Sequence, residues 1–119
     1  MKQICFVGVG GFIGTLLRFA VSRLLHQPGF PWGTLFVNWT GCFLLAWLLA
    51  VNTRTGRISP EWQTGLGTGL LGSYTTFSAF SAETIQLGNW KWQAVYVAVS
   101  VIGGIALAVL GRTIGKEKR

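Results

Sequence analysis

The sequence predicts an all-α integral membrane protein of four transmembrane helices in a single domain, residues 1–119. Three observations predict it. Half of the 119 residues are hydrophobic and only 11% are charged, against about a quarter charged in a soluble domain. The 17 glycines are about double the usual ~7% share. The apolar residues fall into four runs, each near the ~20 residues that cross a bilayer core.

The first run extends from Ile4 to Leu25, the second from Trp32 to Val51, the third from Trp62 to about Thr84, and the fourth from Trp92 to Gly111. Gln27-Pro28-Gly29-Phe30-Pro31 breaks the chain after the first. Residues 52–57 and Ser59-Pro60 separate the second from the third, and Leu87-Gly88-Asn89 precedes the fourth. Trp32, Trp62, Trp90 and Trp92 stand at span starts, where an indole prefers the headgroup layer. No clear small-residue cleavage site follows the first run, so it reads as a span and not a signal peptide. Four spans in this length leave no room for a separate soluble catalytic domain, and no enzyme is expected.

Ten Lys and Arg against three acids give a net charge of +7. On a soluble chain that excess would suggest nucleic acid. Here the cations punctuate the apolar runs, as in membrane proteins, and no nucleic-acid partner is expected. Lys2, Arg54, Arg57, Arg112, Lys116, Lys118 and Arg119 share one side of a four-span chain, with Arg18, Arg23 and Lys91 opposite. The positive-inside rule places both termini in the cytoplasm, with the basic tail dominating the count. Cys5 and Cys42 lie inside apolar runs and read as packing thiols, since neither has a ligand-spaced partner.

Gly8-Val9-Gly10-Gly11-Phe12-Ile13-Gly14 lacks the strand context and spacing of a dinucleotide fingerprint. Gly10 and Gly14 instead form a small-xxx-small patch for close helix packing. Arg18, one turn later, is either an interface anchor or a buried charge with a partner. In the second span Thr34, Asn38, Gly41, Cys42 and Leu45 share a face. An amide in hydrocarbon must find a partner, so Asn38 serves as interhelical glue or offers N–H donors to a passing anion.

The third span is the unusual one. Gly65, Gly67, Gly69 and Gly72 precede Ser73-Tyr74-Thr75-Thr76-Phe77-Ser78-Ala79-Phe80-Ser81, poor material for an unbroken helix. A break near Gly72–Thr76 frees carbonyl oxygens, hard ligands suited to a small cation. Phe77 and Phe80 then share a helical face, and their positive ring edges suit an anion; simple space-filling is the alternative. Glu83, near the end of the span, suits an interfacial salt bridge. Tyr96, Ser100 and Gly104 make a thin polar stripe on the fourth span, and His26 falls in a loop with no role assigned.

Gly10-Gly11-x-x-Gly14-x-x-x-Arg18, Gly33-Thr34-Leu35-x-Val37-Asn38-x-x-Gly41 and Gly72-x-x-Thr75-Thr76-Phe77-Ser78-x-Phe80 together resemble the Fluc (CrcB) fluoride channels. The resemblance covers three of the four spans in order. It implies an antiparallel homodimer in the bacterial plasma (inner) membrane, inserted with dual topology, that passively exports cytoplasmic fluoride and so limits its toxicity. It implies a structural Na+ at the dimer centre on backbone oxygens of Gly72 and Thr75. Phe77 and Phe80 would line the pathway, Asn38 would donate to fluoride, and Thr34 and Ser78 would be polar neighbours. Arg18 and Glu83 would be structural. The basic residues, seven against three, depart from the balance that two-way insertion implies; either the tail weighs little or the chain pairs with an oppositely oriented relative. The rival reading is a small four-helix multidrug/proton antiporter. It needs a carboxylate in the first span, and residues 1–25 contain no acid.

Overall fold

A computed structural model of the protein describes residues 1–117. Lys118 and Arg119, part of the basic tail weighed above, lie outside the described residues. Among the described residues, three helices are long and apolar enough to cross a membrane: α1 (Lys2–Leu24), α2 (Trp32–Thr55) and α6 (Trp90–Lys116). The chain is therefore a multi-pass, all-helical membrane protein. Observed ends overrun the sequence boundaries most for α6, because Arg112 and Lys116 continue the helix past its apolar stretch.

Between α2 and α6 the chain is helical but not uniform. α3 (Pro60–Thr64) opens with the Ser59 hydroxyl accepting from the Trp62 N–H, and with Pro60 in the first turn. The segment Gly65–Leu71 is wound as a π-helix, π1. A further turn, α4 (Gly72–Tyr74), ends where Thr75 becomes extended, with φ −81° and ψ 163°. The helix resumes as α5 (Ser78–Gln86). The interruption overlaps the C-terminal end of the stretch 72–76 where a break was expected, and the glycines before it stay helical. They widen the helix, and the interruption falls at residues 75–77, among the hydroxyls. Gly72 itself keeps helical angles, φ −63° and ψ −31°.

Packing explains the glycines. A Cβ on Gly10 would run into the Gly65 carbonyl oxygen, and one on Gly14 into that of Leu70. One on Gly69 would stand 2.7 Å from Val7 O. Likewise Gly103 lies on the Trp39 indole, Gly111 on the Phe43 carbonyl and Gly115 on Ala50 and Trp47. In lipid there is no hydrophobic drive between helices, so close backbone approach through small residues supplies the attraction. In both pairs the contacts advance together along the two elements. α1 therefore runs parallel to π1, and α2 parallel to α6. Side-chain bonds tie the second pair: Trp39 Nε1 donates to Val99 O at 3.2 Å, and Arg54 Nε donates to Gly115 O at 3.0 Å.

The bundle is apolar outside. Phe12 is 67% exposed and Ile102 68% exposed in mid-helix, the reverse of a soluble fold and suited to lipid. Inside, Val37, Leu71 and Tyr74 form a small core joining α2 to the third segment. Gly56 closes α2 in the left-handed region (φ 62°), its N–H donating to Asn52 O at 2.7 Å. Only glycine adopts that conformation at no steric cost.

Candidate functional site

The interruption at Thr75–Phe77 is held by one side chain. Asn38, half-buried on α2, donates from Nδ2 to Thr76 O at 3.0 Å and accepts at Oδ1 from the Thr76 N–H at 2.8 Å. The amide takes the place that a neighbouring peptide fills in regular structure, so the Thr76 peptide is satisfied without a helix. The primary amide has two N–H donors, and the clamp uses one. Both sequence readings of Asn38 are thus compatible with its geometry. Gly41, one turn on, lies against the Thr75 methyl, where any Cβ would collide.

The Asn38 clamp has a consequence for carbonyls. In an α-helix each C=O accepts from the N–H four residues on. The donor due to Gly72 O is the Thr76 N–H, which goes to Asn38. The donor due to Thr75 O is the Ala79 N–H, which goes instead to Thr76 Oγ1 at 3.1 Å. Gly72 and Thr75, the two positions expected to ligate a cation, are thus among the carbonyls at the interruption whose customary donors go elsewhere. Neutral backbone oxygens are hard ligands that fit a small hard cation. The Thr75 hydroxyl turns back to Leu71 O at 3.0 Å and is occupied.

Asn38, Gly72, Thr75, Phe77 and Phe80 all line one cavity of about 380 Å³, which also reaches Thr76 and Ser100. The Phe77 and Phe80 rings stand 5.9 Å apart at 44°, and Phe80 lies 5.1 Å from the Tyr96 ring. Phe77 is 78% exposed. Ser78 does not line this cavity; its hydroxyl is exposed and pairs with Thr76 Oγ1 at 3.3 Å.

A second cavity, of about 510 Å³, lies toward the α1–α2 loop. Arg18, Thr34 and Glu83 line it, together with His26 and Thr76. Thr76 therefore borders both spaces. Thr34 is buried and donates from Oγ1 to Glu83 Oε1 at 2.5 Å. The carboxylate predicted for an interfacial salt bridge thus takes a short hydrogen bond from a hydroxyl one helix away. Sequence reasoning did not separate these two spaces.

Three functional candidates were missed or left without a role. Thr76 sits inside the quoted motif, yet only its spacing was used. Tyr96 is fully buried, and among the described residues neither its hydroxyl nor that of Ser100 has a hydrogen-bond partner. Buried polar groups are normally paired, so two orphans beside the Phe80 ring are a signal of a ligand's path. The i, i+4 spacing of Tyr96 and Ser100 was visible, but their lack of partners is a property of the fold.

A family model described as CrcB-like protein, Camphor Resistance (CrcB), matches residues 5–112. The chain belongs to the CrcB-like family. Among curated relatives of this family, a fluoride-specific ion channel FluC 1 of Bacillus cereus (strain ATCC 10987 / NRS 248) is 44% identical, covering 97% of this chain and 90% of its own. The fluoride-specific ion channel FluC of Oceanobacillus iheyensis is 44% identical over 93% of this chain and 89% of its own. A FluC 2 of Listeria monocytogenes serotype 4b is also 44% identical, over 94% and 89%. The CrcB-family match takes in α1, α2, the interrupted segment and most of α6, and so every cavity-lining residue named above.

Proposed function

We propose that this chain is the subunit of a fluoride-selective channel that lets cytoplasmic fluoride leave a bacterium passively across the plasma (inner) membrane. The observation that carries this reading is that Asn38 of the second helix lines one cavity with Gly72, Thr75, Phe77 and Phe80 of the interrupted segment. In this reading α3 to α5 form a third, interrupted crossing. Its course parallel to α1, as α6 is parallel to α2, agrees with four crossings that alternate in direction.

Two copies in antiparallel orientation complete the site. One chain offers two diverted backbone oxygens, too few to replace the hydration shell of a cation. A second copy related by a twofold axis supplies two more, and Gly72 and Phe77 are exposed where such a partner would lie. A Na+ held there stiffens the interruption and places positive charge beside the anion's route. The second copy also covers Phe77, which is otherwise an apolar ring beside a polar break. Homodimer and dual topology follow for this chain if the excess of basic residues on one side does not fix its orientation.

Fluoride enters the larger cavity past Arg18 and Glu83. It passes Thr34, whose hydroxyl proton is given to Glu83, and Thr76, at the border of the two spaces, and reaches the second N–H of Asn38. Beyond it the positive ring edges of Phe77 and Phe80 face the ion, with the free hydroxyls of Tyr96 and Ser100 nearby. A compact anion needs many donors to replace its water, yet each must be weak enough to let it go. Neutral amides, hydroxyls and ring edges meet both demands, whereas a lysine would hold the ion. No bond is made or broken. An inside-negative potential drives the anion outward by about 2.3 kcal/mol per 100 mV.

The test is efflux from proteoliposomes loaded with fluoride, followed with a fluoride-selective electrode after a potassium ionophore releases the opposing potential. Rapid fluoride loss, no matching chloride loss and no need for a proton gradient are expected. Chloride leaving as readily as fluoride, or flux only with a proton gradient, would overturn the reading.

A further inference from the structure

The larger cavity contains a residue for which the ion route above has no use. His26 is the only histidine of the chain. It is exposed in the loop after α1 and lines the same 510 Å³ space as Arg18 and Glu83. Those two are the other charged groups on the cavity wall, one from α1 and one from α5, and their formal charges cancel. Two nearby cations are directed elsewhere. Arg23 lies over the Phe19 ring, 5.7 Å from its centroid, and Lys91 over the Trp90 ring at 5.9 Å. Neither lines the cavity, and α2 contributes no charged residue to it.

The formal charges on the vestibule wall thus cancel, and imidazole is the side chain whose ordinary range of charge change lies between pH 5 and 8. We infer that His26 sets the sign of the field at this mouth and, when it carries a proton, raises the local concentration of fluoride and the rate at which ions enter. The inference rests on the channel reading above. In a water-like medium a unit charge raises the concentration of a univalent anion ~8 Å away about two- to threefold. The effect fades once salt shortens the screening length to ~3 Å, near 1 M.

The experiment measures fluoride currents under voltage clamp in planar bilayers, with both chambers at pH 7.5 or 5.5 and about 0.01 M salt, where screening is long-ranged. Hydrogen fluoride is neutral and adds no current. The unaltered protein is expected to carry about two- to threefold more current at pH 5.5. His26→Gln should give equal currents at the two pH values. His26→Arg should give the higher current at both, and about 1 M of an impermeant salt should flatten the response of the unaltered protein. A full rise persisting in His26→Gln would overturn the proposal, as would no rise in the unaltered protein. Those outcomes leave fluoride conduction intact. Absence of fluoride current from all three proteins would overturn the channel reading, and this inference with it.

Discussion

Asn38→Ala is expected to cut fluoride efflux from proteoliposomes by about a hundredfold while the protein still folds into the membrane. The substitution strips the Thr76 N–H and C=O of both partners at 2.8 and 3.0 Å. Each unsatisfied group costs about 1–3 kcal/mol, so the interruption at residues 75–77 loses its reason to stay extended. The route also loses the spare amide N–H. Asn38→Asp separates the two effects. It keeps an oxygen for the Thr76 N–H, removes every donor and adds a charge that repels the anion. Loss of efflux in both variants, with unchanged helical content by circular dichroism, is the expected pattern. Normal efflux from Asn38→Ala would show that neither the clamp nor the donor matters.

Phe77→Leu carries the second large effect, a fall in fluoride flux of about tenfold or more. Within the subunit Phe77 is 78% exposed and its ring contact is with Phe80, so leucine costs the fold of the single chain little. Leucine keeps an apolar side chain but has no quadrupole, so it offers no positive edge to an anion. Aromatic interactions of this kind are worth about 0.5–1.5 kcal/mol beyond area, and a factor of ten corresponds to about 1.4 kcal/mol. Helical content by circular dichroism should hardly change. An unchanged flux would make the ring a spacer.

Much of this architecture was legible in the residues, and the parts that were not share a cause. Apolar runs bounded by Trp, Pro and Asn located α1, α2 and α6, because lipid demands continuous apolar helix. The third segment was recognised as irregular from its glycines and hydroxyls, and the stretch 72–76 named for a break overlaps the interruption at 75–77. Glycine destabilises a helix in water, but at Gly10, Gly14, Gly65 and Gly69 it stays helical and lets the backbones press together. What ends the helix is a long-range partner, Asn38, drawing off the Thr76 N–H. Nothing local in the sequence announces such a partner 38 residues away.

The same limit applies at the site. Asn38, Phe77 and Phe80 stood out by type, since an amide and paired rings in a membrane segment require an explanation. Glu83 was read by its position near a span end, whereas its actual partner, Thr34, lies on another helix. Tyr96 and Ser100 gave only a spacing. Their significance is that their hydroxyls are buried and unmatched among the described residues, which depends on every neighbour at once.

The central claim is that the interruption at residues 75–77 turns the oxygens of Gly72 and Thr75 toward a cation shared by two oppositely oriented copies. The most direct measurement is a high-resolution structure of the protein in lipid nanodiscs with Na+ as the sole metal cation. The account predicts an antiparallel pair with a single ion on the twofold axis, ringed by those four carbonyl oxygens. A continuous helix through Thr76, or a pair whose twofold axis holds no ion, would contradict it.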